Sequence, residues 1–182
     1  MKEHFADYKV QLVRLSEEHT TAFKEEMQEA FEHGFKSHCH ENVDADDDLS
    51  QWQVLPDKDF YQSLEAEGAE AYEAINEDGQ RVGGAIITAN GTMGELAFLY
   101  VKVGVQSKGI GQSIWKAIEA MHPEIEVWET CTPYFDRRNI HFYINRCGFH
   151  AVEFFNERHP DPNMPEQFDQ EDGLFKFEKR MR

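Results

Sequence analysis

The chain has 182 residues, enough for one domain with a sizeable core. Forty per cent of them are hydrophobic, including 14 Phe, 6 Tyr and 3 Trp, which excludes a disordered chain. A net charge of −17 argues against nucleic-acid binding, which needs a basic face; it keeps the protein soluble and can draw in cationic partners such as amines.

No apolar run approaches the roughly 20 residues of a membrane span, so no membrane partner is expected. The opening MKEHFADYKV lacks the apolar core of a signal peptide. The three cysteines, Cys39, Cys131 and Cys147, suggest no disulfide framework. A cytoplasmic protein is the expectation.

Residues 8–15, YKVQLVRL, alternate as a strand does. Ser16 is placed to cap a helix with Glu17 and Glu18 in its first turn. Phe23, Met27, Ala30, Phe31 and Phe35 give that helix one apolar face as far as about Lys36. Residues 37–57 read as a long connection with five acids between Glu41 and Asp48. A short helix is predicted after Pro56, with Phe60, Tyr61 and Leu64 facing inward. Three strands follow over 70–76, 80–89 and 93–104, separated by the turn signals Asp78-Gly79 and Asn90-Gly91.

A helix is predicted over 109–121, its buried face made by Ile110, Ile114, Ala117, Ile118 and Met121. A strand at 126–130 and a helix at 137–146 come next, the latter closed by Gly148. Strands at 150–157 and 173–181 end the chain, separated by the proline-rich acidic loop HPDPNMPEQFDQED. No repeat or linker divides the sequence, so 1–182 reads as a single domain. The strand–helix–strand unit 93–130 requires one right-handed parallel crossover within an otherwise antiparallel sheet, an α+β arrangement.

The stretch Gln106-Ser107-Lys108-Gly109-Ile110-Gly111 follows a strand and opens a helix. Free N–H groups at a helix N-terminus attract anions, and glycine leaves room for a phosphate to approach. Neither the P-loop nor the G-x-G-x-x-G fingerprint is present, since position 114 is Ile. A tight turn into a core helix is the alternative. Leu99-Tyr100-Val101 followed by Gln106-x-x-Gly109-x-Gly111 resembles the acyl-CoA motif of the GNAT superfamily of N-acetyltransferases, [Q/R]-x-x-G-x-[G/A]. The segment from Asn139 to Phe149, a helix carrying Phe-Tyr and ending in Gly-Phe, is similar to a later motif of the same family. The order of elements agrees with that family from residue 8 to 181.

The resemblance implies a mixed, mostly antiparallel sheet of about seven strands with one splayed parallel pair, flanked by about four helices. It implies acetyl-CoA as co-substrate and a primary amine, of a small molecule or a peptide, as acceptor. Backbone groups of Val101 and Val103 would hold the pantetheine arm. The N–H groups of Gln106, Ser107, Lys108, Gly109, Ile110 and Gly111 would hold the diphosphate, with Gln112 beside them. Tyr143 matches the position that returns a proton to the departing thiolate; its alternative is packing. Glu95 is the first candidate for general base and Glu129 its rival, and a solvated strand charge is the alternative for each. Family members often carry Asn where this chain has Asp136. Asp136 can cap the helix, which leaves Asn139 to reach the cofactor. Homodimers are common in the family, and the resemblance admits one here.

No cysteine stands at a position the motifs mark as a nucleophile, so direct transfer in a ternary complex is expected, with Cys131 nearest the site. A non-catalytic acyl-CoA-binding module is the competing reading. A metal protein built on His38-Cys39-His40-Glu41 is a third, but the ligand spacing is too tight for a usual zinc site, and no metal is expected. The Asp44–Asp48 run lacks the calcium-loop frame. Trp52 and Trp128 are expected in the core or the pocket wall.

Overall fold

The computed structural model describes residues 9–38, 54–105, 109–163 and 173–182. In chain order these form β1 (Gln11–Arg14), α1 (Thr20–His38), α2 (Asp57–Glu65), β2 (Ala69–Ile75), β3 (Arg81–Asn90) and β4 (Met93–Val101). Then come α3 (Ile110–Met121), β5 (Val127–Pro133), α4 (Arg137–His141), β6 (His150–Phe155) and β7 (Leu174–Arg180). The strands make one seven-stranded sheet in the order β1-β2-β3-β4-β5-β7-β6. Every neighbouring pair is antiparallel except β4–β5. The α+β sheet with one parallel pair and four flanking helices is as the sequence implied.

Each face of the sheet has its own core. On one, Phe23 and Met27 of α1 and Phe60 of α2 bury against Ala71, Ile86 and Tyr100. On the other, Ile110, Ile114, Trp115 and Ile118 of α3 pack with Leu96, Trp128, Tyr143, Phe149 and Phe177. The rings of Trp115 and Trp128 meet edge to face at 5.2 Å.

Several local expectations need correction. Ser16 stands at the N-cap of a short 3₁₀ turn (Glu17–His19), but its side chain makes no capping bond. Tyr61 is 41% exposed, because a nine-residue helix turns only one narrow stripe inward and Phe60 takes it. Met121 is 46% exposed at the last turn of α3, and Trp115 fills the core in its place. The third meander strand ends at Val101, not at 104. There the Lys102 N–H bonds the Val82 carbonyl at 2.8 Å and the chain turns away, with the Val105 N–H donating to the Lys102 carbonyl.

A charged network fastens α1 to the sheet. Arg81 of β3 donates to both oxygens of Glu26 on α1, at 2.7 and 2.9 Å, and to Glu73 of β2. Tyr100 and Lys102 also reach Glu26. Burial opposes ionisation of Glu26, but Arg81, Lys102 and Tyr100 outweigh it and hold its carboxyl below the ordinary value. Glu73 has a side chain only 5% exposed and is held by Arg81 and by His19, 3.0 Å away. Replacing Arg81 by Ala is expected to cost about 3 kcal/mol, because it takes the shared guanidinium from two part-buried carboxylates and leaves each with its weaker partners. Urea unfolding at pH 7 measures this directly, and a change below about 1 kcal/mol would show the network to be dispensable.

Candidate active site: the parting of β4 and β5

β4 and β5 pair over three positions only: Met93 with Val127, Gly94 with Trp128, and Glu95 with Glu129. β4 then runs on to Val101 and β5 to Pro133, where β7 holds β5 from its other side. Among the described residues no backbone ladder joins β4 and β5 past Glu95. One side chain crosses the first step of the opening: Thr130 Oγ1 donates to the Leu96 carbonyl at 2.9 Å. Val103, expected to line the arm as part of the strand, lies in the turn that follows it, next to Gly104.

The first turn of α3 sits at the open end. Gly109 takes φ = 99° at the N-cap, a left-handed conformation that disfavours any side chain. A Cβ on Gly111 would stand 3.2 Å from the Phe142 ring and 3.6 Å from Val101 Cγ2. Each glycine thus has a reason within the fold, the first in its backbone angle and the second in its packing. The Ser113 N–H closes the turn on the Gly109 carbonyl at 2.9 Å. The N–H groups of Ile110, Gly111 and Gln112 precede that bond and emerge from the helix end. The Gln112 side chain donates to the Arg146 carbonyl at 2.8 Å, tying this turn to the segment that carries Tyr143. Gln106, Ser107 and Lys108 lie outside the described residues.

The helix expected over 137–146 changes pitch midway. α4 gives way to a π-helical turn, Phe142–Arg146, in which the Cys147 N–H bonds the Phe142 carbonyl at 3.0 Å. Turns of this kind widen the backbone and recur at functional sites. Tyr143 sits within it, buried, with its ring 5.8 Å from Phe149 and 6.0 Å from Phe177. Burial, followed by the neighbouring Cys147, pushes the phenol well above its ordinary value, and a hydrogen bond with Thr130 opposes this. The phenol is therefore protonated, a donor, throughout the physiological range.

Leu96 packs with α3, so Glu95 before it emerges on the opposite face, that of α1 and α2. Its in-register partner Glu129 shares that face, as does Cys131 two residues on. Lys176 of β7, opposite Cys131, binds Glu129 at 3.0 Å. Glu95 keeps access to solvent, yet the surrounding protein raises its pKa, with Glu129 adding to the rise, Lys176 opposing it and Asp161 contributing a further push. The Cys131 thiol is pushed up to about 12 by burial and by the charges of Glu95 and Asp161. Glu95 and Tyr143 thus flank the point where the strands part, one on each face of the sheet.

The model of the acetyltransferase (GNAT) family matches residues 21–149. The chain belongs to that family. Its relative YrkN, an uncharacterized protein of Bacillus subtilis (strain 168), is 38% identical over 183 residues, covering 96% of this chain and 95% of YrkN. Among solved structures, a Bacillus subtilis acetyltransferase in complex with CoA aligns with a TM-score of 0.61 at 18% identity, covering 96% of this chain and 99% of that one. The PaiA N-acetyltransferase of Thermoplasma acidophilum, in complex with coenzyme A, aligns at 0.63 and 15% identity, covering 95% and 99%. At those identities the two structures speak for the fold.

For a GNAT chain the remaining positions are informative. Asp136 caps α4, accepting from the Asn139 N–H at 3.1 Å, and the Asn139 amide donates to the other carboxylate oxygen at 2.7 Å. The side chain assigned to the cofactor is thus held by the residue that departs from the family pattern. Three participants were not singled out from sequence: Thr130, Lys176 and Asp161. An alternation signal for Thr130 exists, because it falls two after the buried Trp128. Nothing local marks Lys176 or Asp161, which reach Glu95 only through strand pairing and a loop.

Among the described residues no group of three or more His, Cys, Asp or Glu could hold a metal. Cys39, His40 and Glu41, the Asp44–Asp48 run and Trp52 lie outside the described residues, as does the side chain of His38. No described helix is long and apolar enough to cross a membrane.

Proposed function

We propose that the chain moves the acetyl group of acetyl-CoA to a primary amine by direct attack in a ternary complex. The observation that carries this is the opening between β4 and β5, with Glu95 on one face and Tyr143 on the other. The diphosphate would rest on the N–H groups of Ile110 to Gln112, joined by Gln106 to Lys108. The pantetheine arm would follow the unpaired edge of β4 toward Val101. The amine would enter from the face of Glu95, where Glu129 and Asp161 favour a cation. Glu95 takes the ammonium proton, the amine nitrogen attacks the thioester carbon, the C–S bond breaks as Tyr143 gives its proton to the sulfur, and the surplus proton on the new amide nitrogen restores the phenol. A thiol held as high as that of Cys131 is a poor nucleophile, which favours direct attack over an acyl-enzyme.

Titration with acetyl-CoA and CoA, followed by a screen of polyamines, aminoglycosides, lysine and peptide N-termini that monitors release of the CoA thiol, tests the reaction. Binding of both cofactor forms and acceptor-dependent thiol release are expected. A folded protein that binds neither form would overturn the proposal. Binding without release for any amine would favour the non-catalytic module.

A further inference from the structure

A β-bulge in β4 decides what stands beside Glu95. Ile86 of β3 pairs with Phe98 and Ile87 with Leu96, so Ala97 is an extra residue on β4. Plain alternation would send Glu95 and Phe98 to opposite faces; the bulge brings Phe98 onto the face of Glu95 and α1. Their partners Thr88 and Ile86 are successive residues on one face of β3, which sets Glu95 and Phe98 about 7 Å from each other. Phe98 belongs to the part of β4 that has left β5. Phe31 of α1 lies against it, with ring centroids 5.8 Å apart. One turn on, Phe35 meets Phe135, just past the end of β5, edge to face at 5.9 Å. The later turns of α1 thus cross from β4 to β5 over the opening, through half-buried rings.

We infer that the acceptor is a primary amine carried on an aromatic body, its ammonium at Glu95 and its ring among Phe98, Phe35 and Phe135. This rests on the acetyl transfer proposed above and names the class of amine. Glu129 and Asp161 add negative charge beside Glu95 and Lys176 a positive one, so this end of the site favours a cation. Farther along β4 the lining changes to phenylalanine rings, whose side chains offer no hydrogen bond to a hydroxyl or a second ammonium. Such a group would lose its water there without compensation. An aryl group would instead bury its surface against ring edges and faces. A stem of about two or three carbons between nitrogen and ring suits the roughly 7 Å from Glu95 to Phe98. A polyamine or an aminoglycoside matches the acids but not the rings.

Calorimetric titration of the full chain, saturated with CoA, with phenethylamine, ethylamine and spermidine tests this without requiring transfer. Phenethylamine should bind about 30-fold more tightly than ethylamine, the gain from enclosing a ring, and more tightly than spermidine at moderate salt. Thiol release from acetyl-CoA should favour phenethylamine over both in kcat/KM. In Phe98→Ala and, separately, in Phe135→Ala, the advantage of phenethylamine over ethylamine should fall about ten-fold. Equal binding of phenethylamine and ethylamine, a preference for spermidine, or an advantage unmoved in both variants overturns the inference, while thiol release with any other amine keeps the acetyl transfer standing. Thiol release with no amine overturns the transfer and the inference with it. The comparison of amines on the unaltered chain needs no variant, so misfolding cannot obscure it.

Discussion

Tyr143→Phe is expected to lower kcat about 10²-fold with little change in the KM for acetyl-CoA. The substitution removes one oxygen and keeps the ring that packs on Phe149 and Phe177. The stability cost should therefore stay near 1 kcal/mol, the hydrogen bond with Thr130. The loss should be uniform with pH. A phenol raised this far never ionises in the assay range, so removing it deletes a donor without moving either limb of the profile. Steady-state kinetics from pH 6 to 9, beside a thermal melt, measure both effects. An unchanged kcat in a correctly folded variant would assign Tyr143 to packing alone. Thr130→Val supplies a partner experiment: it leaves the phenol in place but removes the hydroxyl that bridges it to Leu96. An intermediate loss of kcat is expected, because the donor survives with a poorer aim.

Much of this was legible before folding because the signals are local. Alternation, helical spacing and the two Xaa-Gly turns placed every element of the described chain within a few residues. The errors lie where tertiary packing decides. Tyr61 and Met121 fit an apolar stripe by spacing, yet Tyr61 lies beside the narrow stripe that Phe60 takes in mid-helix, and Met121 is the last residue of α3. The glycines illustrate a subtler limit. Sequence could suggest that something approaches Gly111, and the fold shows that its own Phe142 ring already does. The π-helical turn leaves no mark in periodicity, because one extra residue in a turn resembles ordinary helix spacing. Glu95 was identifiable by its distance from the glycine motif. Its electrostatic setting was not, since Glu129, Lys176 and Asp161 come to it from different strands and a loop.

That setting yields the second large effect. Glu95→Gln is expected to lower kcat/KM about 10²-fold or more and to abolish the acidic limb of the pH profile. In the unaltered protein a base must be deprotonated to act, so activity falls as pH drops through the pKa of Glu95. Burial, Glu129 and Asp161 raise that pKa, so the limb should lie above the ordinary carboxylate range. The neighbours then supply two tests of opposite sign. Glu129→Gln removes the negative charge that helps raise Glu95, and the limb should move to lower pH. Lys176→Met removes the positive charge that opposes the rise, and the limb should move to higher pH. If Glu129 were the base instead, Glu129→Gln would abolish the limb and Glu95→Gln would only shift it. Glu129 is already held by Lys176 at 3.0 Å, a cation beside the carboxylate that an incoming ammonium would have to approach. Opposite shifts in the Glu129 and Lys176 variants, with the limb lost only in Glu95→Gln, would identify the group that deprotonates the amine without knowledge of the natural acceptor.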